Sequence, residues 1–257
     1  MKDIQIITVL LNIWGLLLIV SCGKIENNLT PNTPKGRFEL HIHSNVGNVE
    51  IEDYGKEYLV QDSRKISVDK AQLYLSDFKL IRLDGSEYEI PNAYILVEKD
   101  IEVYDLGLVP SGNYKAIRFF VGLNAATNQK TASISDSLIY KPEMWFRSTG
   151  EANKYVFVNF QGKIDTSFSL NGISLIPFSY KIGTFENRKE VIMSNKNYSI
   201  IPNQTEFIHF VVDYNALFNE IKISDLNNLN LSSEVDNKNG LASKLVFNIP
   251  FMFRYEK

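Results

Sequence analysis

The chain has 257 residues, with 27 Lys plus Arg against 30 Asp plus Glu and a formal net charge of −3. There is no basic surplus to hold a nucleic-acid backbone and no basic–aromatic cluster in its place, which excludes nucleic acid as a partner. The single cysteine, Cys22, leaves the rest of the sequence without a disulfide, a thiolate metal site or a cysteine nucleophile.

The first segment reads as an address. Lys2 gives a positive start, and residues 4–20 form an apolar run broken only by Gln5, Thr8 and Asn12. The run closes on Leu18-Ile19-Val20-Ser21-Cys22-Gly23. A small residue ahead of a cysteine after such a run resembles the lipobox of bacterial lipoproteins. An uncleaved membrane anchor is the competing reading, since a span needs about 20 apolar residues. The position of the sole cysteine favours lipidation at Cys22. The expected organisation is therefore a lipoprotein signal peptide over 1–21, a tether over 22–36 and one domain over 37–257. The tether, GKIENNLTPNTPKG after Cys22, is rich in Asn, Pro and Thr and has no periodicity. The expected location is the bacterial cell envelope, lipid-anchored at the outer membrane on its periplasmic or cell-surface face.

The domain begins with Phe38, Leu40 and Ile42 alternating against Glu39, His41 and His43, which is a strand. A turn at Asn45–Gly47 and a short return strand at Val49 and Ile51 follow. Residues 70–85, KAQLYLSDFKLIRLDG, carry the longest uninterrupted strand signal. Leu73 and Leu75 alternate with Gln72 and Tyr74, as a half-buried strand requires. After Ser76-Asp77 the apolar phase slips to Phe78 and Leu80, which predicts a β-bulge. So long a run without Pro or Gly places this strand centrally. Val109-Pro110-Ser111-Gly112-Asn113 is a turn signal leading into Ile117, Phe119 and Val121. Residues 122–141 lack periodicity and form a long connection to Met144-Trp145-Phe146. Strands resume over 154–160, 178–182, 189–193 and 206–213. One helical turn is expected near 214–220, an Asn- and Ser-rich loop over 226–240, and a short helix or final strand over 241–253. This spacing predicts an all-β chain, a β-sandwich of immunoglobulin-like architecture with long loops. Leu73, Leu75, Phe119 and Phe157 are expected in the core.

Chemistry is sparse. No Gly-rich phosphate loop, HExxH or GxSxG is present, and the carboxylates are scattered, so no enzyme activity is expected. His41 and His43 are two apart on a strand and share a face, which suits one copper or zinc ion. The simpler reading is a solvated outer face, since Phe38, Leu40 and Ile42 own the buried one. His209, in FIHFVVDY, reads as a hydrogen-bonded structural residue; a copper ion on His41 and His43 would still need a third or fourth donor, for which His209, Met144 or water is on offer. Met144-Trp145-Phe146 reads as core packing, or as a sugar-stacking platform.

YLSDFKLIRLDG, PSGNY, FFVGLNAATN, KPEMWF, KYVFVNFQG, PFSYKIGTF, HFVVDYNALF and NIPFMF follow one another in this order. Together they resemble the MbnP-like family, bacterial secreted or lipid-anchored β-domains named for a copper-binding protein of methanobactin systems. The resemblance spans about Phe38 to Phe253 and implies a β-sandwich. It implies copper held by histidines, for which the spacing given above offers His41 and His43, and it places the oxidisable tryptophan at Trp145, since copper-binding members use one oxidised to kynurenine. It also implies a dihaem peroxidase-like partner. Three departures mark this chain: Phe146 and Ser148 stand near places where the family carries Trp, Lys181 stands where a His is common, and Gly122-Leu123-Asn124 replaces Gly-Val-Asp. The expectation is a lipid-anchored, non-enzymatic envelope protein that binds copper. The alternative is a surface or periplasmic binding or assembly module that has lost the metal, contacting a glycan or an outer-membrane transporter through its aromatic loop.

Overall fold

The computed structural model describes residues 33–60, 63–128, 141–146, 155–173, 175–193, 196–232 and 240–256. Cys22, the apolar leader and most of the tether lie outside these residues, so the lipid-anchor expectation does too.

In chain order the strands are β1 (Lys35–Val46), β2 (Val49–Glu50), β3 (Glu57–Leu59), β4 (Lys65–Arg82), β5 (Glu87–Glu89), β6 (Tyr94–Val97), β7 (Val103–Pro110) and β8 (Gly112–Val121). Then come β9 (Val156–Asp165), β10 (Leu175–Gly183), β11 (Lys189–Met193), β12 (Tyr198–Ile200), β13 (Thr205–Asp213), β14 (Asn230–Ser232) and β15 (Phe253–Tyr255). One helical turn, α1 (Ala125–Asn128), starts the long connection, and α2 (Leu241–Asn248) lies near the C-terminus. The helical turn after β13 is a 3₁₀ segment, Tyr214–Phe218, whose first turn the Asp213 carboxylate caps by accepting from Asn215 N–H. The C-terminal stretch holds both expected alternatives in succession, α2 and then β15.

The strands form two sheets. The first runs β15-β13-β1-β2, with β7 also paired to β1. The second runs β11-β8-β4-β9-β10-β14, with β12 on β8 and β3, β5 and β6 on β4. Apolar residues that alternate along each strand meet between the sheets, as the pleat dictates. Phe38, Leu40 and Ile42 of β1 and Ile208, Phe210 and Val212 of β13 share one core with Leu73, Leu75 and Phe78 of β4. Phe119 of β8 stacks on Phe210 across the interface, with ring centroids 6.0 Å apart.

β4 is central, as its composition requires, and the phase slip is a bulge. Its pairing with β8 shifts register between Ser76 and Lys79. Asp77 takes φ +52° there, a left-handed conformation that Asp tolerates better than most residues. Its carboxylate pairs with Arg188 and accepts from Asn124 Nδ2 at 2.8 Å. The bulge keeps Leu73, Leu75, Phe78 and Leu80 all in the core despite their change of phase.

β4 departs from the half-buried strand that its alternation predicts, because Gln72 and Tyr74 on its other face are also buried. Residues 142–146 lie across that outer face and make a second, smaller apolar cluster of Tyr74, Leu96, Leu123, Met144, Tyr155 and Phe157. Leu73, Leu75, Phe119 and Phe157 are all buried as expected, but Phe157 belongs to this outer cluster and not to the main core.

Candidate metal centre

β1 and β13 run parallel and adjacent, with His41 directly opposite His209. The inward residues of both strands fill the core, which turns His41, His43 and His209 outward together. Ring centroids of His41 and His43 are 4.7 Å apart, as are those of His41 and His209. One ring nitrogen from each histidine lies within 4.8 Å of the others. The structure therefore adds His209 to the two residues that spacing alone suggests. The His41 and His43 side chains keep 23% and 18% of their exposure and His209 keeps 41%, so the cluster is shielded but open to solvent.

Carboxylates orient the rings. His41 Nε2 lies 3.1 Å from Glu102 Oε2, and His43 Nδ1 lies 2.8 Å from Glu50 Oε1. With those N–H groups committed, the neutral rings present His41 Nδ1 and His43 Nε2 as lone pairs. His41 Nδ1 is 3.0 Å from His209 Nδ1. Glu50 comes from the hairpin strand β2, and Glu102 immediately precedes β7, where its carbonyl accepts from Ile42 N–H. Partial burial works against the charge on His43, but the hydrogen bond to Glu50 and the fields of Glu50, Glu256 and Glu102 outweigh it and raise its pKa above 6.5. Three imidazoles at this spacing can hold a first-row transition ion, and carboxylates on the remote nitrogens are the usual support for such ligands.

Trp145 takes no part in this cluster. It bridges to Tyr155, packs edge-on against the Tyr155 ring at 4.6 Å, and rests on the outer cluster of the second sheet. The sandwich core lies between that face and the histidines. Lys181, the residue in place of the family's His, is also on the second sheet, paired with Asn159 of β9. A buried amide network fixes residues 142–146 there: Gln72 Nε2 donates to Glu143 and Glu98, and Asn159 Nδ2 donates to Gln72 Oε1.

The sequence offers His209 only as one of several further donors, beside Met144 and water, and the structure selects it; Glu50, Glu102 and Glu256 as neighbours were not legible there. The alternation of FIHFVVDY does turn His209 outward. What it cannot give is the partner, a strand 168 residues away in sequence. Among the described residues no helix is long and apolar enough to cross a membrane.

Comparison with known proteins agrees with this architecture. A solved structure, MbnP from Methylosinus trichosporium, aligns with a TM-score of 0.51 at 14% identity, covering 72% of this chain and 78% of that one. At that identity the likeness concerns the fold alone. No curated protein matches. The MbnP family model matches residues 35–235, a stretch that holds both sheets' main strands and all three histidines, and the chain therefore belongs to the MbnP family.

Proposed function

We propose that this protein is a lipid-anchored, non-enzymatic envelope protein whose MbnP domain binds copper through His41, His43 and His209. One observation carries the reading: three imidazoles from two strands far apart in sequence present ring nitrogens within 4.8 Å of one another. Copper is what the family resemblance implies, and imidazole donors suit it. Glu102 and Glu50 would hold the rings of His41 and His43 in the tautomers that leave a lone pair for the ion. Trp145 is separated from these donors by the core, so its oxidation would alter the second sheet and not the ligand set. A dihaem peroxidase-like partner, if it acts on Trp145, would dock on that second face. Lipidation at Cys22 would hold the domain at the envelope.

The test is a copper titration of the wild type beside a His41→Ala/His43→Ala/His209→Ala variant, followed by calorimetry and competition with a chelator. The expected result is one ion per wild-type chain and none on the variant. Equal binding by the two would remove the centre and leave the alternative, a binding or assembly module without the metal. Fractionation of a Cys22→Ala variant tests the anchor, since it should leave the membrane or accumulate as precursor.

A further inference from the structure

Glu256 is the residue after β15, outside the stretch that the family match covers. Its backbone is fixed beside the cluster: β15 pairs with β13, and Glu256 N–H donates to the His209 carbonyl at 3.1 Å. Its Oε2 lies 3.3 Å from His209 Nδ1 and 4.0 Å from His43 Nε2. A tetrahedral ion with bonds of about 2.0–2.1 Å has ligand atoms about 3.3 Å apart. The spacings His41 Nδ1 to His209 Nδ1 (3.0 Å) and His209 Nδ1 to Glu256 Oε2 (3.3 Å) match two edges of such a polyhedron. The nitrogens turned away from it are those that Glu102 and Glu50 hold.

We infer that Glu256 supplies the fourth ligand, making a three-histidine, one-carboxylate centre selective for a divalent ion, Cu(II) or Zn(II), over Cu(I). This rests on the histidine centre proposed above. The selectivity follows from two features of the donor set. A carboxylate oxygen is a hard donor that suits a dication, whereas Cu(I) prefers soft sulfur, and no thiolate or thioether is among the residues brought together here. Glu50, Glu102 and Glu256 also place three carboxylates around the ion, which favours a double positive charge over a single one.

The experiment uses the full-length protein in detergent and compares wild type, Glu256→Gln and His209→Ala. Zn(II) and Cu(II) are titrated by calorimetry, Cu(I) is titrated anaerobically against a chelator, and Co(II) absorption reports coordination number. Loss of a supporting carboxylate typically costs 10–100-fold in affinity, and loss of a ligand should cost at least that. Glu256→Gln should therefore weaken Zn(II) and Cu(II) by about 10–100-fold or more, change Cu(I) by less than about threefold, and weaken the intense tetrahedral Co(II) bands. If Glu256→Gln binds both divalent ions as wild type does while His209→Ala does not, the histidine centre stands and Glu256 is not its ligand. If all three proteins bind alike, or none binds, the centre itself is wrong and this inference goes with it. A uniform loss for all three copper and zinc ions with unchanged Co(II) bands would make Glu256 a remote charge and overturn its ligand role.

Discussion

The two outer faces of the sandwich start from the same strand alternation and reach opposite ends. On the first sheet the outward residues of β1 and β13 stay open to solvent, with His41 beside His209 and carboxylates around them. On the second sheet the outward residues Tyr74 and Phe157 are sealed beneath residues 142–146. The segments that carry the family resemblance to a copper site, Met144-Trp145 and the position of Lys181, fall on the sealed face, while the imidazoles fall on the open one. Metal exchange needs solvent access and unprotonated donors. A clamped Trp needs neither. Family membership, which the fold carries, and the clustered imidazoles of this chain thus lie on different faces.

The sealed face is the first to break. Phe157→Ala removes a ring buried under Met144 and Trp145, and Leu73→Ala removes a side chain from the main core. Each should cost about 3–5 and 2–5 kcal/mol respectively, from lost transfer energy plus the cavity left behind. They should differ in what else changes. Phe157→Ala should expose Trp145 to a collisional quencher, whereas Leu73→Ala should leave the quenching of the folded protein unchanged. Chemical denaturation with parallel quenching measures both. Identical quenching would mean that the outer cluster is not a separate unit.

The open face breaks differently. His209→Ala should lower copper affinity at least about tenfold, or about 1.4 kcal/mol, while Trp145→Phe should leave it within about twofold. A large loss from Trp145→Phe would show that the two faces are coupled and act as one unit.

The sequence made the strands legible and left the partners hidden. Alternation at Phe38, Leu40 and Ile42 is enough to turn His41 and His43 outward, and the slip at Ser76-Asp77 is enough to place the bulge. Both signals are local. His209 meets His41 through a parallel pairing of strands near opposite ends of the chain, and nothing in either strand specifies its neighbour. The same limit explains β4. Its pattern of Leu73 and Leu75 against Gln72 and Tyr74 reads as one wet face until residues 142–146 are laid over it, after which Gln72 serves as a buried hydrogen-bond donor to Glu143. Glu256 could not be assigned in advance, because its role depends on β15 docking beside β13.

Acid and base should act on the two faces in different ranges. His43 has a folded pKa raised above 6.5 by Glu50, Glu256 and Glu102, against the opposing pull of burial. In the metal-free protein its contribution to stability is complete below about 6.5 and is lost as pH rises through the raised folded value. Metal binding has the opposite sign, since the proton must leave first, so affinity should climb through the same window. Glu50→Gln should shift that window downward. Metal titrations at pH steps between about 5 and 9 read the shift, and an unchanged window would mean that Glu50 does not set the His43 proton.

The smallest effect belongs to the latch that seals the second face. Burial pushes the Glu143 carboxyl up. Its own backbone amide, the Gln72 side chain, Lys70 and Lys141 push it down and prevail, so its folded pKa lies below 4.5. A depressed carboxylate contributes stability above its unfolded pKa and loses it as pH falls through the folded value. Residues 142–146 should therefore loosen below about 4.5, before the sandwich unfolds. The loss should be about 1 kcal/mol or less, because Glu143 is partly exposed and its charges are screened. In a Trp14→Phe background, Trp145 is the only remaining tryptophan, so its emission reports the latch directly. The expected result is a red shift on acidification that precedes the loss of far-ultraviolet β signal. Glu143→Gln should flatten that early shift by removing the titrating group while keeping an acceptor for Gln72 Nε2. If the red shift and the β signal move together in both proteins, residues 142–146 are part of the main cooperative unit, and the second face is sealed by the fold as a whole and not by its own latch.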